Sequence, residues 1–446
     1  MKIKIIIYIF LFFLLSFNVL PQAGTNFSEF TKKLEPYFEL DLINDIKSQL
    51  PAETNFSIWG WDVGDFSGDG FLDVAFTAKL FSDKGRIVHV YLFTDIDGFM
   101  TKVADFTYEY FELPLEIGIV IRDNACFITQ KRKENDWSIV GYRFDSGVLI
   151  LVDQYLVNRI KELTHESYRN FTTLQGTEKY ILTKTGEEKF SSNYLIIPSY
   201  RRYRQIYKGY QRQAYTNYIE YVIKGAFYWT GDSDASFSVK SNYDDKYLYF
   251  DVQIIDDNVV QQRCPECPCD YIEIWMDVNY IPTNDERYIK YTDKEFSIRD
   301  EADAGIFSLN FYPGNFLEKP PYVKLINTNE SLQVSQRKAI ADIKAVAFLR
   351  NYGYQLQFRI PFTLFGYNKN PIASGEYFEF GCTFVMHDID NEYRPEEETL
   401  IATSNFNPQI PSTFGSLILI PDNLWFGNVV NIYKNELLNN LLEFGF

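Results

Sequence analysis

The chain has 446 residues, 17% of them aromatic, and a formal net charge of −17. This length exceeds what one hydrophobic core organises, so it predicts two or three domains. Tyr and Phe dominate the aromatic residues and favour pleated, half-buried β surfaces. The acidic balance argues against nucleic acid as a partner and fits the binding of hard cations, which take carboxylate oxygens as ligands.

The N-terminus has the order of a secretory signal. Lys2 and Lys4 are followed by an almost unbroken apolar run over residues 5–15, and Pro21-Gln22-Ala23 offers a small residue for cleavage. This predicts a signal peptide over residues 1–23, with an uncleaved N-terminal anchor as the alternative. We therefore expect export to the periplasm, the cell surface or the medium, with no transmembrane span in the mature chain.

The predicted elements begin with a short helix. Ser28 can cap it, apolar residues recur every four positions from Phe30 to Leu42, and Pro51 ends it. Short apolar runs split by Gly, Asp and Asn follow, which predicts an antiparallel β-domain over residues 24–155.

Residues 156–224 are predicted to be a Tyr/Arg-rich connector between two β-domains, because the strand pattern weakens there. Its basic and aromatic residues interleave between Ser199 and Tyr221, which also suits stacking on bases or contact with an acidic polysaccharide. Longer, more regular strands return over residues 225–425 and predict an antiparallel β-sandwich, followed by a tail over residues 426–446. The predicted fold class is all-β.

An Asp-rich loop places oxygen ligands at alternate positions, with a glycine where the chain turns. Its candidate Ca²⁺ ligands are Asp65, Ser67, Asp69, the backbone carbonyl of Phe71, and Asp73. An Asx-rich hairpin turn is the alternative. The segment Gly64–Asp73, followed at once by an apolar strand, resembles one FG-GAP or VCBS repeat. That resemblance implies a structural Ca²⁺ site in an extracellular protein.

The C-terminal half carries an ordered set of motifs. They are Tyr247-Leu-Tyr-Phe250, Val252-Gln-Ile-Ile-Asp256-Asp257, Asp270-Tyr-Ile-Glu273-Ile-Trp-Met-Asp277, Tyr354 to Ile360-Pro361, and His387-Asp388-Ile-Asp390. In this order they resemble the family 9 carbohydrate-binding modules and related DOMON-like sandwiches. The resemblance implies a non-catalytic module that binds a polysaccharide or oligosaccharide and supports its catabolism, and it also implies structural metal held by acids such as Asp256, Asp257, Asp270, Asp388 and Asp390.

Alternation along one strand separates a core face from a ligand face. Ile272, Ile274 and Met276 are predicted to face the core, and Glu273 and Trp275 the other side, where an aromatic beside a carboxylate suits a sugar. The alternative is that Trp275 packs beneath a loop. The candidate ligand-binding residues are Glu273, Trp275, Asp388, Asp390, Tyr393 and Arg394.

Five cysteines leave at least one unpaired or intermolecular, and three of them crowd into Cys264-Pro-Glu-Cys267-Pro-Cys269. A soft-metal site, a local disulfide and a rigid loop are the open interpretations of that cluster. Three other functions remain as alternatives to sugar binding: glycoside hydrolysis by paired carboxylates, an adhesion or matrix role, and haem binding. Haem is discounted, because Met386 and His387 fall on opposite faces of a strand.

Overall fold

The computed structural model describes most of the chain from residue 25 onwards. The described residues are 25–51, 56–82, 85–110, 116–133, 136–145, 147–202, 214–264, 267–279, 289–292, 295–298, 305–328, 332–372, 377–421 and 425–426. The predicted signal peptide, residues 203–213 of the predicted connector and residues 427–446 of the predicted tail lie outside them. Contacts divide the chain into two compact units, Met1–Lys133 and Glu134–Phe446.

The first unit packs two helices on a sheet. Its elements are α1 (Phe27–Leu34), α2 (Leu40–Ser48), β1 (Phe56–Gly64), β2 (Asp73–Ser82), β3 (Gly85–Ile96), β4 (Phe99–Tyr110), β5 (Glu116–Arg122) and β6 (Ala125–Lys133). Strands β1 to β4 form an antiparallel sheet in chain order, and β5 and β6 pair as a hairpin. The strands of the first unit are therefore antiparallel, as the sequence predicts, but the unit ends at Lys133 and the predicted domain at residue 155.

The N-terminal helix differs from the prediction in its cap and its length. The side chain of Asn26, not that of Ser28, caps α1 by accepting the Glu29 N–H at 2.9 Å. Pro36 lacks the N–H that an uninterrupted helix needs, so the helical region is split into α1 and α2. Of the predicted apolar positions, Phe30, Leu34 and Phe38 are buried against the sheet and Leu42 is half-buried.

In its described residues, the second unit consists of β-strands and one further α-helix. Its strands begin with β7 (Asp136–Asp145), β8 (Val148–Ile160), β9 (Leu163–Asn170), β10 (Gln175–Leu182), β11 (Glu188–Arg201), β12 (Ala214–Tyr215), β13 (Val222–Lys224), β14 (Ala235–Tyr243), β15 (Tyr247–Asp256) and β16 (Tyr271–Asp277). They continue with β17 (Ile289–Thr292), β18 (Glu295–Ile298), β19 (Ile306–Tyr312), β20 (Tyr322–Thr328), α3 (Val334–Asp342), β21 (Lys344–Arg350), β22 (Gly353–Pro361), β23 (Phe378–Asp388), β24 (Thr399–Ala402), β25 (Ser416–Ile420) and β26 (Trp425–Phe426).

Two antiparallel sheets form the predicted sandwich. The first has the order β21-β22-β15-β14, and the second has the order β20-β19-β16-β23, with β24 and β25 pairing different halves of β23. The ring of Phe250 in the first sheet lies 5.2 Å from that of Phe384 in the second, inside one continuous apolar core. The all-β prediction is confirmed, and Ile272, Ile274 and Met276 face the core at 0% exposure.

The stretch predicted as a connector instead contains regular strands. Strands β7 to β11 pair successively as an antiparallel meander. The end of β11 then pairs in parallel with β14 and β25, so one strand joins the meander to the sandwich. Within the described residues, no helix is long and apolar enough to span a bilayer.

Candidate functional site

Three buried aspartates meet at one end of the sandwich because three strands end there. Strand β15 ends at Asp256, β23 ends at Asp388, and Asp270 immediately precedes β16. Strands β16 and β23 pair with Tyr271 opposite His387, which places Asp270 beside Asp388. Each of the three aspartates is at most 2% exposed, and each offers an oxygen within 4.8 Å of the other two. We call this set the inner acid cluster.

The inner acid cluster is poor in hydrogen-bond donors. Asp270 accepts the N–H groups of Val260 at 2.5 Å and Ile389 at 2.9 Å. Asp256 Oδ1 accepts the Asn258 N–H at 2.8 Å, whereas no N–H or hydroxyl group donates to its buried Oδ2. The Asp256 side chain also bonds to the carboxyl of Asp270. When both carboxyls are ionised neither can donate to the other, so the pair favours a shared proton or a cation.

Electrostatics in the inner acid cluster oppose ionisation. Burial, followed by repulsion from Asp256 and Asp390, raises the pKa of Asp388 to about 8. Burial also raises the pKa of Asp270, with further repulsion from Asp256 and Asp388. A divalent cation would reverse this balance, because it supplies positive charge to three carboxylates at once.

A second group of acids adjoins the first. Asp234, Asp257 and Asp390 also bring oxygens within 4.8 Å of one another, and Asp257 and Asp390 are exposed. Asp234 Oδ2 accepts the Thr230 N–H at 2.6 Å. Asp390 additionally lines a pocket, so the outer acids connect the inner acid cluster with the surface.

The pocket has a volume of ≈ 490 Å³ and lies between two loops, residues 258–263 and 390–393, with Asn315 completing its wall. Its lining side chains are mostly amides and charged groups: Asn258, Gln261, Gln262, Arg263, Asn315, Asp390, Asn391 and Glu392, together with Val259, Val260 and Tyr393. Amide and carboxylate groups both hydrogen-bond to hydroxyl groups, and an aromatic ring can cover the apolar face of a sugar.

Side-chain contacts hold the two pocket loops together. Asn258 Nδ2 donates to the Asp390 carbonyl at 2.6 Å, and the Arg263 guanidinium lies 2.7 Å from the Glu392 carboxylate. Gln262 donates to the Tyr322 hydroxyl at 2.7 Å, which ties the first loop to β20. The pocket wall is therefore partly preorganised, which lowers the entropy cost of binding.

Two predicted ligand residues reach this pocket, and one lies just beyond it. Asp390 and Tyr393 line it, and Tyr393 is 82% exposed. Arg394 follows Tyr393 but pairs with Glu397 at 3.1 Å on the surface. Asp388 belongs to the inner acid cluster behind the pocket.

Glu273 and Trp275 occupy the outer face of the second sheet, as the alternation predicts. The Trp275 ring is 8% exposed and packs against Phe406 at 5.4 Å and Phe414 at 6.2 Å. Glu273 accepts from His387 Nε2 at 3.1 Å, while His387 Nδ1 lies 2.6 Å from Glu398. Trp275 thus packs beneath a loop, and Glu273 is engaged in an ion-pair cluster.

The Asp-rich loop of the first unit closes on its own backbone. Asp65 accepts the N–H groups of Gly68 at 2.5 Å and Gly70 at 3.0 Å, and Asp69 accepts that of Phe71 at 2.8 Å. Asp73 Oδ2 accepts two more, from Phe66 and Ser67, both at 2.8 Å. These bonds form an Asx-type turn. Among described residues, the carboxylates that converge for a metal are those of the sandwich.

The cysteine cluster contains a local disulfide between Cys264 and Cys267, directly after the first pocket loop. Cys269 is a buried thiol, as are Cys126 and Cys382.

Sequence reasoning missed the first pocket loop, residues 258–263. The sequence pattern that could have identified it is a group of three amide side chains and an arginine. This group lies between Asp256 at the end of β15 and Asp270 just before β16.

Neither a family model nor a curated protein matches this sequence. Similar solved structures include a family 9 carbohydrate-binding module from Caldicellulosiruptor kristjanssonii in complex with cellotriose, at 17% identity and a TM-score of 0.31, covering 53% of this chain and 96% of that one. A module of the same family and organism in complex with glucose has 19% identity and a TM-score of 0.27, covering 43% and 80%. A protein from Bacteroides uniformis, described as a carbohydrate-binding candidate, has 11% identity and a TM-score of 0.27, covering 47% and 87%.

Proposed function

We propose that this chain is an exported, non-catalytic carbohydrate-binding protein whose ligand occupies the pocket between residues 258–263 and 390–393. The observation that carries the proposal is the chemistry of this pocket. Its ≈ 490 Å³ are lined by amide side chains, with the exposed ring of Tyr393 at the edge. Amides pair with sugar hydroxyls in either direction, and the Tyr393 ring can stack on the C–H face of a pyranose.

Two carboxylates line the pocket, those of Asp390 and Glu392. Glu392 lies 2.7 Å from the Arg263 guanidinium, so one of the two is already held in an ion pair with the pocket wall. We expect purified protein to release no reducing sugar from glycans that it retains.

The experiment is affinity electrophoresis against a panel of polysaccharides, followed by calorimetry with the retained glycan. Tyr393→Ala should weaken binding about 2- to 13-fold, since one aromatic contact contributes about 0.5–1.5 kcal/mol. Tyr393→Phe should retain most of the affinity. Tyr352→Ala is the matched control, because Tyr352 is 80% exposed and does not line the pocket. Absence of retardation on every glycan would refute the proposal.

We also propose that Ca²⁺ is a structural cofactor of this site. The convergence of the buried carboxyls of Asp256, Asp270 and Asp388, and the lack of an N–H or hydroxyl donor at Asp256 Oδ2, fit a hard cation with oxygen ligands. When bound, the cation would neutralise the cluster and so fix the strand ends from which both pocket loops start. For the loop of Asp65, Ser67, Asp69, Phe71 and Asp73, Ca²⁺ remains a prediction: most of its carboxylate oxygens already accept backbone N–H groups.

A further inference from the structure

An exposed aromatic pair stands on the turn that precedes β14. Phe227 is 95% exposed and Tyr228 is 42% exposed, and their rings lie 5.9 Å apart at an interplanar angle of 88°. Single exposed apolar residues are common on protein surfaces and need no explanation. Two adjacent exposed rings on a well-ordered turn differ from such single residues, because the turn holds both rings in a fixed arrangement that one ligand can contact.

The turn is held rigidly by backbone bonds. The N–H groups of Tyr228 and Trp229 donate to the Gly225 carbonyl at 2.8 and 3.3 Å. Gly225 has φ +73°, and a Cβ there would lie 2.4 Å from the Glu398 carbonyl oxygen, so only glycine permits this approach. Trp229 Nε1 donates to the Ala235 carbonyl at 2.8 Å and anchors the far side. Little conformational entropy is therefore lost when a ligand contacts the rings.

The turn lies beside the segment that carries the second pocket loop. At its start, Lys224 pairs with Leu400 in the β13–β24 ladder, and its Nζ lies 3.0 Å from the Glu398 carboxylate. At its end, Asp234 brings an oxygen within 4.8 Å of Asp390. Residues 224–234 thus lie close to both ends of the segment 390–398, whose first four residues line the pocket.

The charge around this turn restricts the kind of glycan. Asp232 and Asp234 lie on the turn, and Asp257 and Asp390 belong to the same outer acid group as Asp234. An acidic polysaccharide would be repelled by these carboxylates, whereas a neutral one would not.

We propose that Phe227 and Tyr228 form a second sugar-binding subsite, so that the ligand is a neutral oligosaccharide that leaves the pocket and crosses the segment 390–398. This rests on the proposed carbohydrate-binding function. The pocket holds one end of the ligand through hydrogen bonds, and the two rings contact the C–H faces of later residues.

The test is isothermal titration calorimetry with neutral gluco-oligosaccharides of one to six units. For the wild type, affinity should rise about 3- to 10-fold as the chain becomes long enough to reach the rings. Phe227→Ala should remove this gain and leave the affinity for the shortest bound ligand within twofold. Phe227→Trp should retain the gain. Because the side chain is 95% exposed, neither variant should alter folding.

Phe348→Ala is the matched control. Phe348 is 45% exposed on β21 of the other sheet, so this variant should behave as the wild type at every ligand length. A wild-type affinity that does not depend on length, or a length gain that survives Phe227→Ala, would overturn the subsite and leave the pocket proposal intact. If no gluco-oligosaccharide binds and the polysaccharide panel is also negative, both proposals fail together.

Discussion

Replacing Asp388 by asparagine should make the protein more stable without calcium and less stable with it. Asp388 is 2% exposed, and burial raises its pKa from 3.8 to about 8. A raised carboxyl pKa means that the folded state holds its proton more tightly than the unfolded state. Stability from this group is therefore present at low pH and is lost as the pH rises from about 4 to about 8.

The size of the Asp388 pKa shift determines how much the substitution changes the free energy of unfolding. Each pKa unit corresponds to about 1.4 kcal/mol, so at pH 7 the ionised Asp388 costs up to about 4 kcal/mol of unfolding free energy. Repulsion is shared with Asp256 and Asp270, so the gain from Asp388→Asn in chelator should be about 2–4 kcal/mol. The neutral amide has nearly the same shape, so packing should be preserved.

Calcium should reverse the order. If the wild type binds Ca²⁺ at the inner acid cluster, calcium at a thousandfold excess over its Kd adds about 4.1 kcal/mol to its unfolding free energy, and the variant should lose most of this gain. The calcium gain of the wild type then exceeds the ~2–4 kcal/mol that the variant gains in chelator. Differential scanning calorimetry at pH 4.5 and 7.5, in chelator and in calcium, measures both effects. Asp232→Asn, an exposed aspartate on the nearby turn, is the control and should change neither melt. A variant that melts lower than the wild type in chelator at pH 7.5 would refute the electrostatic argument, and a wild type insensitive to calcium would refute the cation.

Two further predictions concern packing and buried charge. Trp275→Ala should lower the free energy of unfolding by about 3–5 kcal/mol, as expected for a ring packed between Phe406 and Phe414, and calorimetry below the melt should find glycan affinity within twofold of the wild type. A tenfold loss of affinity with unchanged stability would instead make Trp275 a ligand residue. Arg169→Met should lower the free energy of unfolding, measured with urea, by about 3–5 kcal/mol. The substitution leaves the buried Glu379 carboxylate, which lies 2.9 Å from the Arg169 guanidinium, without its ion-pair partner. Adding Glu379→Gln should recover part of this loss, and a double variant no better than the single one would contradict the assignment.

The sandwich was predictable because its strands alternate cleanly. Ile272, Ile274 and Met276 alternate with polar or aromatic residues, and this pattern determines which side faces the core. The rings that cover Trp275 come from positions more than 130 residues later, so no local pattern shows whether that side chain is covered or open.

Strands β9 to β11 of the meander were assigned to a connector because polar residues occupy many of their buried positions. In β9 the buried positions are Leu163, His165, Ser167 and Arg169, so hydrophobic alternation is absent. Their partners lie on other strands: Glu178 of β10 lies 2.5 Å from His165 and accepts from Ser167 at 2.8 Å. A cross-strand polar network becomes visible only once the register is known.

Strand β11 has a consequence for how this protein can be divided. It completes the β7–β11 meander and also supplies the parallel partner of β14 and β25, while Arg169 and Glu379 link the same two parts. A fragment that begins at residue 225, where the sandwich pattern starts in the sequence, would lack that strand and expose two sheet edges as templates for aggregation. The sandwich therefore cannot be transferred to another protein by itself, and the smallest fragment that keeps these pairings begins before β7.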